Sequence, residues 1–125
     1  YIYIMSVLTA FNNIIIDFVD DCISVFPSDS DFTTYKNALL LLKKYNPKKI
    51  VETFKEYLKL YRTQLVSKDE TFFLNNNFKE VEKYNNEEIF NVINRIKKYW
   101  KDLNNTNKTK IWDYIDILIQ LSDKL

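Results

Sequence analysis

The chain of 125 residues contains no glycine and only two prolines. Glycine is the ordinary residue of tight turns and left-handed backbone, because it carries no Cβ to clash. Left-handed positions in this chain fall to asparagine, which tolerates that conformation. No segment shows convincing strand alternation, and the first expectation is an all-α protein.

Hydrophobic spacing agrees. Apolar residues recur at three and four along most of the chain, the period of one helix face. Val7, Leu8, Phe11, Ile15, Phe18, Val19 and Cys22 mark a first helix, with Ser6 as N-cap and an end near Phe26, before Pro27. Phe32, Tyr35, Ala38, Leu39, Leu42 and Tyr45 mark a second. Leu40 and Leu41 widen that stripe, which predicts a helix buried nearly all round. Asn46 and Pro47 are expected as N-cap and first residue of a third helix running through Ile50, Val51, Phe54, Leu58 and Leu65. Ser67 and Glu70 have the spacing of a capping box, opening a short turn through Phe72 and Phe73. Asn75, Asn76 and Asn77 stop it, because Asn tolerates the left-handed conformation. Residues 78–84 read as a loop or a second short turn, and residues 85–88 as a further capping box. Two more helices follow, one carrying Val92, Ile96 and Trp100, the other, capped by Thr106, carrying Trp112, Ile115 and Leu118. The whole is predicted as one domain over residues 1–125: a compact bundle of five main helices and one or two short helical turns. Met5 can be a natural start, with residues 1–4 an upstream extension.

The missing residue types exclude much chemistry. Without glycine there is no P-loop and no dinucleotide fingerprint. With no histidine there is no imidazole base and no ordinary zinc site. The single cysteine, Cys22, lies in an apolar stretch and is expected buried and inert. These absences predict a non-enzymatic protein with no cofactor and no metal. A basic leader and a continuous apolar run of about 20 residues are not found in the sequence, so no membrane span and an intracellular, non-secreted location are expected.

Three features remain as candidates for function. Asp17, Asp20 and Asp21 share a helix face and suit either a divalent cation or plain solvation. Lys43, Lys44, Lys48 and Lys49 cluster at the junction of the second and third helices, beside Tyr45. Such a group can hold phosphates while the ring stacks on a base, which makes nucleic acid one candidate partner. That reading gains if a second basic group, Arg95, Lys97, Lys98 and Lys101, falls on the same face. Phe72 and Phe73 lie in the least regular segment, where they either anchor a protein partner or plug the end of the bundle.

Several strings together carry a resemblance: Phe18-Val19-Asp20-Asp21, Val25-Phe26-Pro27-Ser28-Asp29, Leu42-Lys43-Lys44-Tyr45-Asn46-Pro47, Lys68-Asp69-Glu70-Thr71-Phe72-Phe73-Leu74 and Tyr99-Trp100-Lys101-Asp102-Leu103. From about Phe11 to its end the chain resembles small helical proteins of giant, mimivirus-like DNA viruses. None of the strings is a catalytic signature. The resemblance implies a source and a compartment, the infected-cell cytoplasm or the virion. Abundant Ile, Asn, Lys, Tyr and Phe, with arginine only at positions 62 and 95, is the residue usage of an A/T-rich genome. The expected function is a helical protein-interaction module, with nucleic-acid binding and a structural role in the virion as alternatives.

Overall fold

The structure, a computed structural model, describes residues 2–79 and 87–125. Among them there is no strand. Five main helices are present: α1 (Ile2–Val25), α2 (Asp31–Tyr45), α3 (Lys49–Val66), α5 (Glu87–Tyr99) and α6 (Asn105–Ser122). A short α4 (Glu70–Asn75) and a 3₁₀ turn (Trp100–Asp102) complete the set. The all-α bundle expected from spacing is the fold observed.

Helix α1 is the axis of the bundle, packed on α2, α6 and α3. Ion pairs and a cross-helix hydrogen bond show the helix directions. Asp20 meets Lys36 at 2.6 Å and Asn13 meets Lys43 at 2.7 Å, so α1 and α2 run antiparallel. Arg62–Asp123 and Lys68–Asp116 bridges align α3 and α6 the same way. The core is continuous, from Phe11, Val19 and Phe32 through Leu39 and Ile50 to Trp100. Both tryptophans belong to it, their rings edge to face at 6.0 Å.

The ends of the helices depart from the expected caps. α1 begins ahead of Ser6, because Ile2 to Met5 already adopt the helical conformation. α3 begins at Lys49, and Pro47 lies in the turn before it. The α4 cap is Asp69, whose side chain accepts from the Phe72 N–H at 3.0 Å, while the Ser67 hydroxyl bonds back to the Gln64 carbonyl. For α6 the cap is Asn104, accepting from the Asn107 N–H at 2.8 Å, two residues ahead of Thr106, which lies inside the first turn. In α4 and α6 the cap is thus a carboxylate or amide oxygen rather than the expected hydroxyl.

Left-handed backbone occurs at Lys68 (φ 58°) and Phe78 (φ 56°), not at the asparagines. Asn76 and Asn77 instead accept from N–H groups two residues on, those of Phe78 and Lys79. The capping box placed at 85–88 lies partly outside the described residues, as does most of the segment 78–84.

Helix α1 is also long and apolar enough to cross a membrane, with a mean hydropathy of 1.7 over its most apolar window. Asn12 and Asn13 interrupt this stretch, and the expectation of no such span, drawn from unbroken apolar runs, is corrected on length and mean hydropathy. Core helices pass the same length and composition test. Here Val7, Leu8, Phe11, Ile16, Val19 and Cys22 face the interior of the bundle.

Candidate interaction surface

The lysine cluster is built on a clamped turn. Asn12, only 1% exposed, donates from Nδ2 to the Pro47 carbonyl at 2.9 Å. A buried amide on an otherwise apolar face thus fixes the α2–α3 junction against α1. Lys43 is half-buried and donates to Asn13 Oδ1. Lys44 is exposed, its Nζ 5.4 Å from the centre of the Tyr45 ring. Lys48 is exposed at the start of α3, and Lys49 is half-buried in its first turn. The cluster therefore divides, with Lys44 and Lys48 turned to solvent.

Beside them lies a surface that sequence spacing assigned to the core. Only Phe32 and Leu39 of α2 are fully buried. Leu40 and Leu41 are 40% and 58% exposed, and Tyr45 is 75% exposed. α2 packs mainly on α1 and α5, with a smaller contact to α3, and among the described residues the side chains of its outer face are left exposed. Leu41 and Tyr45 are one turn apart and share that face. The expectation of a helix buried all round fails because spacing counts apolar positions, not the helices available to cover them. Beyond the junction α1 extends further. Its exposed Ile2, Tyr3, Ile4 and Met5 lie 8–11 residues ahead of Asn13, on the order of 12–16 Å along the axis.

The second basic group does not enlarge the first. Arg95 is held at the other end of α2, where it pairs with Asp31 and with Asp29 at 3.3 Å and donates to the Tyr35 hydroxyl. Tyr99 donates to the same Asp29 at 2.5 Å, and its ring stacks on Phe26 at 4.3 Å. The Asp29 side chain is 9% exposed. The Tyr99 hydrogen bond, with help from the Asp31 N–H and Arg95, holds its carboxyl below the usual carboxylate range. The Tyr35 hydroxyl first, then the Asp29 and Asp31 carboxylates, hold Arg95 more firmly protonated. Lys97 donates to the Asn76 carbonyl and sits 5.3 Å from the Phe78 ring, and burial lowers its pKa. Lys98 lies 5.6 Å from the Tyr99 ring, while Lys101 is exposed. This five-residue clasp of Asp29, Asp31, Tyr35, Arg95 and Tyr99 was missed in the sequence. Its members are up to 70 residues apart, and no local spacing announces them.

The acidic face of α1 is also put to structural use. Asp20 bridges to Lys36 of α2, and Asp21 accepts from the Tyr114 hydroxyl of α6, with Lys110 at 3.9 Å. Burial, then the Asp21 contact, raises the Tyr114 pKa. Asp17 is exposed. Among the described residues no group of three or more Asp, Glu, Cys or His is placed to hold a metal ion. Cys22 is buried, and burial followed by the nearby Asp21 charge pushes its thiol up to about 12.

Phe72 and Phe73 turn inward. Phe73 is 9% exposed and meets Trp100 at 5.3 Å. Phe72 is half-buried against Tyr61 and Phe78. Both rings pack α4 onto the bundle.

Fold and surface together define a small all-α bundle with an apolar and basic strip at one end of α2. No known protein family, curated protein or solved structure matches the chain.

Proposed function

We propose that the protein is a non-enzymatic interaction module, acting inside the cell, that docks a protein partner on the outer face of α2. The observation that carries this is the pair Leu41 and Tyr45, 58% and 75% exposed on a face that none of the described helices covers. Large apolar side chains grouped on a surface favour association, because docking removes them from water. Lys44 and Lys48 edge the same strip, so the partner presents an apolar groove rimmed by carboxylates. The strings resembling mimivirus-like proteins and the A/T-rich residue usage support a large-DNA-virus source for this module, where the partner is a virion or host protein.

Affinity capture from the cells that make the protein tests the reading, with three baits compared after nuclease treatment. The wild type is expected to retain a partner that Leu41→Ser/Tyr45→Ser loses. Lys44→Ala/Lys48→Ala should bind it more weakly, and with less salt dependence. Capture indifferent to the α2 substitutions overturns the proposal. Labelled nucleic acid that binds at low salt and is released by Lys43, Lys44, Lys48 and Lys49 to Ala would favour the nucleic-acid alternative instead.

A further inference from the structure

Between α1, α3, α5 and α6 lies a cavity of about 130 Å³. Val19, Phe54, Phe78, Val92, Ile115 and Leu118 are among its walls. Among the described residues the Tyr57 hydroxyl is the one polar side-chain group in the lining, and none of them that borders the space is charged. Protein interiors are packed about as densely as organic crystals, and voids larger than a water molecule are few. Water gains little from entering this one, since a buried water needs two to four polar partners. An engineered apolar cavity of about 150 Å³ stays dry and takes up benzene.

A second observation falls on the cavity wall. Phe78, buried and lining the space, holds φ at 56°. A bulky residue in this region is a steric outlier. The Asn76 side chain accepts its N–H at 2.6 Å and keeps it there. Tyr57, Tyr61, Phe72 and Phe73 surround the ring. Strained backbone persists where the surroundings enforce it, and such places cluster at ligand sites.

We propose that the cavity is a binding site for a small uncharged apolar ligand, the size of one aromatic ring or a short alkyl chain. The walls mix aromatic rings, such as Phe18, Phe54 and Phe78, with aliphatic side chains, such as Val92 and Leu118, so either shape finds dispersion contacts. The described lining is apolar apart from the Tyr57 hydroxyl and so favours an uncharged ligand over an ionic head group.

The test titrates the full chain with benzene and, separately, with 1-hexanol, followed by methyl-resolved NMR. Saturable shifts are expected at Val19, Val92, Ile115 and Leu118, with a melting temperature that rises with ligand concentration. Val92→Phe fills the space and should weaken binding about tenfold or more. If that variant fails to fold, Val19→Ile narrows the cavity by one methylene and should weaken binding to a smaller degree. Benzene alone binding assigns a ring-shaped ligand, and hexanol alone a chain. No saturable shift with either probe overturns the proposal, as does binding undiminished in a folded cavity-filling variant.

Discussion

Asp29 and Arg95 are the residues on which the turn after α1 depends. The Asp29 carboxylate accepts from Tyr99 and from the Asp31 N–H, and faces Arg95. Arg95→Met removes the charged partner of a nearly buried carboxylate and should cost about 1–3 kcal/mol in urea unfolding. The pH dependence has a defined sign. Asp29 has a lowered pKa in the folded protein, so its contribution is complete above the unfolded value and fades as pH falls through the folded one. The stability difference between wild type and Asp29→Asn should therefore be flat near neutrality and shrink in acid. A difference that grows on acidification would contradict this assignment. Cys22 offers a second check. With its thiol pushed up to about 12 and its side chain buried, it should resist an aromatic disulfide reagent at pH 8 until the protein is unfolded. Prompt labelling of the folded protein would show that the thiol is reachable.

At the scale of elements, α4 shows how a short helix is kept. Six residues are too few to be stable alone, so the Asp69 cap and two phenylalanines must hold it. Phe73→Ala empties a core position between Trp100 and Trp112 and should cost about 3–5 kcal/mol. Asp69→Ala removes one cap bond and should cost about 0.5–2 kcal/mol. Equal effects in thermal unfolding would mean that α4 is fixed by its cap rather than by its rings. The same element shows where sequence spacing reads well and where it fails. Its existence and its aromatic pair were legible, but the cap was placed at Ser67, because the S-x-x-E pattern outranked the neighbouring aspartate. α2 fails in the other direction. Leu40 and Leu41 lie within an apolar run indistinguishable from a core helix, yet they face solvent.

For the whole molecule, the cavity between the helices is a departure from close packing. A void of about 130 Å³ carries a cost of about 3 kcal/mol at the usual dependence on cavity volume. Val92→Ile adds one methylene to that space and should stabilise the protein by up to about 1 kcal/mol. In a filled core the same change would destabilise by overpacking, so the sign alone decides.

What the sequence determined by itself was the kind of protein. The spacing of apolar residues points to helices, and this property is local, set by backbone geometry within a few residues. What the tertiary structure decided was everything that depends on who faces whom. It joined Asp29 to Arg95 and Tyr99, spent Asp20 and Asp21 on neighbouring helices, and drew Phe73 into the core. It also left Leu41 and Tyr45 uncovered and opened a cavity behind Phe78. A helix's pattern states which faces can be buried. Which of them are buried follows from the number and direction of the helices packed around it.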